Sequence, residues 1–316
     1  MRCVLIGNYG VGNIGDEALR QYFLGAFPEV TWTVVSAAPQ RMGEVPRLPL
    51  GLRSCFRAWW KTIIAFCLSD AVVFGGGTLF TDSESVFACV LWGMHALVAR
   101  VFGLQIVLAF QGVGPFRTRF AECLTKCIFE QASFVSVRDA ASLERVRKWA
   151  LQCEPIESFD PAFAVFAPYR APAPVARTLV IIPRGNSDEE FCAPVRGEIS
   201  KPWDAIHILL MQPDKKERQV AVKISALCGG KSTIIEIDSV TQLLAQVSQA
   251  SMVVTQRYHG ALAALAMKKP VMIVPQIKDD KLEQLRMEAS DPQSMENFLQ
   301  KVRVGEEELG KILVTE

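Results

Sequence analysis

The sequence is poor in the residues around which metal and redox centres are built. Its 316 residues include three histidines, and none of its nine cysteines falls in a C-x-x-C pair. There is no H-E-x-x-H and no Cys/His cluster, so neither a structural nor a catalytic zinc site is expected. The odd cysteine count, scattered through apolar runs, speaks against a disulfide framework and for a reducing compartment. A G-x-x-x-x-G-K-[ST] phosphate loop is missing, as is the G-x-S-x-G nucleophile elbow. Net charge is only +1, which excludes nucleic acid as a bulk electrostatic partner. Long apolar runs are also lacking. Residues 86–99 are interrupted by His95 and ended by Arg100, and 63–74 is broken by Ser69 and Asp70. Both fall short of the ~20 residues of a membrane span. The sequence opens on the strand Cys3–Ile6 rather than on a signal peptide, so a cytoplasmic location is expected.

What the chain does have is alternation. Half of it is apolar and 21% charged, a globular composition of a length that suits two domains. In the first half, strands are expected at 3–7, 31–36, 71–74, 105–110 and 133–137, with helices near 16–26, 56–68, 85–102, 117–130 and 140–150. Short, wholly apolar strands such as Ala71–Phe74 predict a parallel sheet covered on both faces. The proline-rich stretch 167–174 reads as a linker. A second alternation follows, with strands near 178–183, 205–211, 233–237, 251–255 and 270–275, and helices near 214–227, 239–249, 258–267 and 279–288. The tail from 292 reads as helical and able to pack back on the body. The expected fold is therefore α/β, two doubly wound Rossmann-like domains spanning 1–168 and 175–316 and facing a cleft.

Chemistry-bearing residues gather where strands end. The strand Ser251–Thr255 runs into Gln256-Arg257-Tyr258-His259-Gly260 and then into a helix. A cation and an imidazole thus stand at a helix N-terminus, a place suited to phosphate or carboxylate. The first strand runs into Gly7-Asn8-Tyr9-Gly10-Val11-Gly12-Asn13-Ile14-Gly15-Asp16-Glu17. Glycines there let backbone approach a ligand. The Gly10-x-Gly12-x-x-Gly15 spacing fits a dinucleotide fingerprint, but the acidic residue expected about 20 positions later is missing. Other strand ends carry Gly75-Gly76-Gly77-Thr78 with Asp82, Gln111-Gly112-Val113-Gly114, Arg138-Asp139, Pro183-Arg184-Gly185 and Gln276-Ile277-Lys278. Each is also readable as an ordinary loop; their shared place favours a ligand site. His95 and His207 lie within apolar elements and read as core or face residues.

The order of these segments resembles the polysaccharide pyruvyl transferase family. The resemblance rests on Gly10–Ala18, Gly75–Leu79 with Asp82, Gln111–Pro115, Val135–Asp139, Asp160–Phe163 and Arg257–Leu262, with Lys278 after the next strand. It departs at Tyr258, where the family usually has Leu, at Gln276, and over 185–203, a short stretch broken by Pro194 and Pro202 where a helix belongs. The resemblance implies a GT-B-like fold, phosphoenolpyruvate as donor and a sugar with two nearby hydroxyls as acceptor. In the bacterial branch, which modifies cell-wall and S-layer-anchoring glycans, that sugar is ManNAc on a lipid-diphosphate-linked disaccharide. Nucleotide-linked sugars are a further acceptor class.

On this reading Arg138, Arg184, Arg257 and Lys278 bind the donor anions, because guanidinium forks match carboxylate and phosphate. His259, with Asp16 or Asp82, moves protons. Asn13, Asp16, Gly76, Gly77, Asp82 and Gln111 face the acceptor. No cofactor and no metal is called for; phosphoenolpyruvate is a co-substrate. Two rivals stay open: a GT-B glycosyltransferase using a nucleotide sugar, and a glycan- or nucleotide-binding protein without turnover. A last feature is the stretch from Arg41 to Ile63, where Arg41, Arg47, Arg53, Arg57 and Lys61 face one acid, Glu44, and Phe56, Trp59, Trp60 and Ile63 recur at helical spacing. It reads either as a helix packed on the first domain or as a peripheral membrane contact at the inner face of the cytoplasmic membrane.

Overall fold

The structure, a computed structural model, describes residues 1–50, 56–83, 85–170, 176–276, 281–290 and 294–314. Two compact units are present. The first comprises Met1–Val11, Leu19–Pro161 and Phe298–Glu316; the second comprises Gly12–Ala18 and Ala162–Asn297. The spans 1–168 and 175–316 expected from sequence are contiguous, whereas each unit takes one segment from elsewhere in the chain.

Among its described residues, unit 1 holds the strands β1 (Arg2–Ile6), β2 (Thr31–Ser36), β3 (Glu44–Pro46), β4 (Ala71–Phe80), β5 (Gln105–Val113), β6 (Phe134–Val137) and β7 (Ile156–Glu157). They form one parallel sheet in the order β3-β2-β1-β4-β5-β6-β7. The helices of this unit are α1 (Ile14–Ala26, whose first turns belong to unit 2), α2 (Trp60–Cys67), α3 (Val86–Val101), α4 (Arg119–Phe129) and α5 (Ala140–Arg147). Ser85, Thr118 and Asp139 start α3, α4 and α5 by accepting a backbone N–H two or three residues on. One sheet face is covered by α2–α5 through Phe66, Trp92, Ala96, Phe129 and Val146. On the other, Tyr22, Phe23 and Phe110 pack edge to face at 5.5–6.0 Å between ring centres. Coverage of both faces explains why β1, β4 and β5 are apolar without alternation.

The glycine triplet does not end its strand. β4 continues through Gly75-Gly76-Gly77 to Phe80, and β5 runs on from Phe110 to Val113, with Gly75 paired to Ala109 and Gly77 to Gln111. A Cβ on Gly75 would stand 2.5 Å from both Leu5 Cδ1 and the Tyr9 hydroxyl, so only glycine fits that crossing. Gly76 and Gly77 take φ of 76° and 81°, which L side chains avoid.

Unit 2 carries β8 (Thr178–Ile182), β9 (Ala205–Leu210), β10 (Ser232–Glu236), β11 (Ala250–Thr255) and β12 (Val271–Ile273), parallel, in the order β10-β9-β8-β11-β12. Its further helices are α6 (Ala162–Phe166), α7 (Glu189–Ile199), α8 (Lys215–Leu227), α9 (Val240–Ser248), α10 (Tyr258–Ala266) and α11 (Lys281–Glu288). Helix α12 (Ser294–Leu313) begins in unit 2 and gives most of its length to unit 1. The stretch 185–203, where a helix belongs but which reads as short and broken by Pro194 and Pro202, contains α7 with Pro194 inside it. Pro194 is the sixth residue of an 11-residue helix started by Asp188, and burial of Phe191 and Val195 on either side outweighs the hydrogen bond that proline forgoes.

Candidate functional site

In an open parallel sheet, ligands bind beyond the carboxyl ends of the strands where the strand order reverses. In unit 2 that point lies between β8 and β11, since β9 and β10 extend one way and β12 the other. The sequence puts Pro183-Arg184 after β8 and Gln256-Arg257-Tyr258-His259 after β11, so the two cation-bearing turns flank this point.

The turns are laced together. Gln256 N–H donates to Ile182 O at 3.0 Å, and Ser187 Oγ donates to Gln256 Oε1 at 2.6 Å while accepting from Arg184 N–H at 2.8 Å. Arg184 Nη1 donates to Gln276 Oε1 at 2.9 Å, which reaches the end of β12. Arg257 is the residue from which α10 starts. Its Nε donates to Glu217 Oε1 at 3.0 Å, its Nη2 makes a shorter contact with the same oxygen, and its Nη1 reaches Gln212 Oε1 at 3.3 Å. Glu217 is fully buried, and burial pushes its carboxyl above the ordinary value against the pull of Arg257. The sequence reading missed Glu217. Asp214-Lys215-Lys216-Glu217 has the spacing of a capping box, Asp214 accepts Glu217 N–H at 2.7 Å, and Glu217 returns to accept Gln212 N–H at 2.8 Å. Its second oxygen partner, Arg257, lies 40 residues away and leaves no local signal.

The first-strand glycine motif supplies the other wall. Asn13 opens α1: Asn13 Oδ1 accepts Gly15 N–H at 3.1 Å and Asn13 Nδ2 donates to Asp16 Oδ2 at 2.9 Å. Ile14 N–H donates to Met211 O at 3.2 Å, which ties this turn to the end of β9. Gly15 lies against His259: a Cβ there would overlap Nδ1, Cγ and Cε1 of the imidazole. His259 also meets the Tyr258 ring edge to face at 5.5 Å, and its Nε2 is shielded from solvent. Asn13, Asp16, Arg184, Arg257 and His259 therefore share one edge of one unit. Lys278 lies outside the described residues.

The remaining sequence candidates belong to unit 1, whose reversal point lies between β1 and β4 and is bridged by Tyr9 hydroxyl to Gly75 O at 2.8 Å. Gly76, Gly77 and Gln111 lie on the paired extensions of β4 and β5, and Arg138, after β6, reaches them at Thr78 and Gly112. Arg138 is 2% exposed, its Nη1 2.7 Å from Asp160 Oδ2 and its Nη2 2.5 Å from Thr78 Oγ1. A Cβ on Gly112 would come within 2.8 Å of Arg138 Nε, so that glycine makes room for the guanidinium. Any anion meeting Arg138 would compete with Asp160. Gln111 Nε2 donates to Phe74 O and Ala109 O at 2.7 and 2.9 Å, and its Oε1 is buried.

Asp82 stands elsewhere. It accepts Arg117 N–H at 2.6 Å, Thr118 N–H at 2.8 Å and the Thr118 hydroxyl at 2.7 Å, closing the start of α4. Burial alone would raise its carboxyl, but these hydrogen bonds outweigh burial and hold it below the usual range. His95 is wholly buried in α3, and His207 lies on β9 with Nδ1 3.0 Å from Gln246 Oε1. Among the described residues, no three His, Cys, Asp or Glu side chains gather as a metal site.

Comparison with solved structures shows the fold of GT-B glycosyltransferases and epimerases. UDP-GlcNAc 2-epimerase from Neisseria meningitidis, bound to UDP-GlcNAc, aligns over 100% of both chains at 12% identity with a TM-score of 0.60. HepE of Anabaena, in complex with UDP and glucose, aligns over 100% of both at 9% identity and 0.62. Sucrose-phosphate synthase from Thermosynechococcus elongatus aligns over 99% of this chain and 98% of its own at 13% identity and 0.59. No curated protein matches the chain in sequence. The family model described as polysaccharide pyruvyl transferase matches residues 13–276, running from the cap of α1 to the Arg184 partner Gln276. The chain belongs to the polysaccharide pyruvyl transferase family.

Proposed function

We propose that this protein transfers the pyruvyl group of phosphoenolpyruvate to two neighbouring hydroxyls of a sugar, making a cyclic ketal on a cell-wall polysaccharide precursor. The observation that carries the reading is the pairing of Arg184 and Arg257 across the reversal point of the unit 2 sheet, with His259 in the first turn of α10. In the proposal Arg184 and Arg257 bind the donor carboxylate and phosphate, with Lys278 as a third cation. Glu217 and Gln212 fix the orientation of the Arg257 fork. Asn13 and Asp16, beside the Gly15–His259 contact, orient the sugar.

The chemistry asks for a proton donor and a proton acceptor and for no electron transfer. The vinyl CH2 carbon takes a proton and becomes a methyl group. Two new C–O bonds form at C2, the bond from C2 to the phosphate oxygen breaks, and inorganic phosphate leaves. Of the two protons lost by the hydroxyls, one balances the methyl proton and one goes out on phosphate. In the proposal His259 shuttles a proton between hydroxyl and vinyl carbon, a role that typically contributes ~10²–10⁴-fold. The acceptor we favour is ManNAc on a lipid-diphosphate-linked disaccharide, which would put the work at the inner face of the cytoplasmic membrane.

A second reading is favoured by the UDP-bound neighbours: a glycosyltransferase acting on a nucleotide sugar. Mass spectrometry of lipid-linked glycans incubated with protein and phosphoenolpyruvate separates the two. A gain of the pyruvyl mass with phosphate release, lost in His259→Ala with donor binding kept, supports pyruvyl transfer. Nucleotide release from a sugar nucleotide without phosphate release from phosphoenolpyruvate would reject it.

A further inference from the structure

The face built by α2, the residues from Phe56 that lead into it and the neighbouring α3 exposes a group of large apolar side chains. Phe56 and Trp60 are 93% and 53% exposed, and Trp59, Ile64 and Leu68 are exposed with them. The same stretch buries Thr62, Ala65 and Phe66. Spacings of three and four thus give the helix an inner stripe that packs into the core and an outer stripe of exposed apolar side chains. Helix α3 packs beside α2, with the Phe66 ring 6.4 Å from that of His95, and it leaves Leu97 and Val101 61% and 75% exposed. Next to the start of α2 lies an open cavity of about 610 Å³ whose lining includes Arg41, Arg57, Lys61 and Ala58, with Met42 fully exposed at its side.

Basic residues outnumber acidic ones among the described residues of this face. From Phe56 to Ser69, and along the whole of α3, there is no acidic residue, while Arg57, Lys61 and Arg100 are exposed. The single acid lining the cavity, Glu44, is taken up by Arg20 Nη1 at 3.2 Å and by the N–H groups of Gln40 and Arg41. Exposed aromatic side chains beside the exposed cations Arg57 and Lys61 complement a surface that is anionic outside and apolar within. No helix among the described residues is long and apolar enough to cross a membrane.

We propose that this face docks on an anionic phospholipid bilayer. Trp59, Trp60, Phe56 and Ile64 enter to headgroup depth, where indole rings are favoured. Arg57, Lys61 and Arg41 meet lipid phosphates along the cavity. The inference concerns a surface of unit 1 and does not depend on which sugar is modified.

The test is sedimentation of the purified full-length chain with vesicles of phosphatidylcholine alone and of phosphatidylcholine with phosphatidylglycerol. Binding is expected to the anionic vesicles only, and to weaken at high salt (~0.5 M) through screening. Each basic residue near an anionic surface is worth ~1 kcal/mol, so Arg57→Gln with Lys61→Gln should weaken binding roughly 20- to 30-fold. Brominated lipids should quench tryptophan emission, and Trp59→Phe with Trp60→Phe, which keeps ring volume, should abolish most of that quenching. Unchanged melting temperatures of both double variants will show that they fold. The proposal is overturned if wild-type protein ignores anionic vesicles at low salt, or if it binds both vesicle types alike. It is equally overturned if the variants retain full binding, or if the face binds inorganic diphosphate but no vesicle. A concentration-dependent dimer that buries Trp59 and Trp60 would assign the face to a second copy and also overturn it.

Discussion

The backbone of Gly15 rests directly on the imidazole of His259, leaving no room for even a methyl group between them. Gly15→Ala should therefore displace either the ring or the first turn of α1. A shift of ~1 Å at a reacting group can lower turnover ~10²-fold. We expect a loss of that order in phosphate release from phosphoenolpyruvate, with donor affinity little changed. Turnover within threefold of wild type would show that the contact does not position His259.

Glu217 should matter as much as the arginine it holds. Removing one partner of a buried ion pair leaves the other without its compensating charge, a loss of ~3–5 kcal/mol when both are deeply buried. Arg257 retains 13% side-chain exposure, so Glu217→Ala should sit at or below the low end of that range. Glu217→Gln, which keeps an acceptor, should lose less stability while still weakening phosphoenolpyruvate binding. Chemical denaturation and donor titration of both variants provide the check. Equal donor affinity in wild type and both variants would separate Glu217 from the site.

Asp160 poses the same question in unit 1. With Asp160→Ala, Arg138 stays buried under Gly112 and loses its 2.7 Å partner. A loss of ~3–5 kcal/mol in unfolding free energy is expected. A melting temperature near that of wild type would mean that the guanidinium finds another anion or leaves the interior.

His95 should give the protein an acid-sensitive interior. Burial, with a smaller push from Arg47, brings its pKa down from 6.5 to about 4, against the hydrogen bond to Leu91 O that opposes the shift. Nε2 accepts Leu48 N–H at 3.2 Å, which fixes the proton on Nδ1 beside Leu91 O. The unfolded chain then binds more protons than the folded one between pH 6.5 and about 4, so stability falls as pH falls through that window. The effect is of the order of 3 kcal/mol across it. Urea unfolding of wild type and His95→Gln at pH 7, 6 and 5 should show a steeper loss in wild type. Parallel slopes would assign the acid sensitivity to carboxylates elsewhere.

How far the sequence carried the fold depends on what each signal measures. Apolar runs and start caps are local, so β2, β8 and α10 were legible within a residue or two. Strand ends were misjudged where a glycine served a neighbour: Gly75 yields to Tyr9 and Leu5, not to a loop, so β4 runs six residues past the expected end at Phe74. Proline-based reading failed at Pro194 because burial of Phe191 and Val195 overrode local propensity. The turn holding Arg257 and His259 was visible as a strand-to-helix junction. Its support by Glu217, Gln212 and Ser187 was not, because those contacts join residues that are 40 or more apart in the chain.

The segment Phe298–Glu316 gives unit 1 a particular order of assembly. Phe298 stacks on Phe159 at 4.0 Å, Ser158 hydroxyl donates to Lys301 O at 2.9 Å, and Tyr22 hydroxyl donates to Glu306 Oε2 at 2.7 Å. Gly305 is small where it meets Ser158 and Phe110. During synthesis residues 1–161 leave the ribosome before 162–297, yet their sheet still lacks this covering helix while 162–297 is being made. The second unit thus has all of its residues outside the ribosome before the first one does. Until the closing helix arrives, the flank of unit 1 formed by Tyr22, Phe110 and Phe159 is the stretch of nascent chain on which a holding chaperone would act.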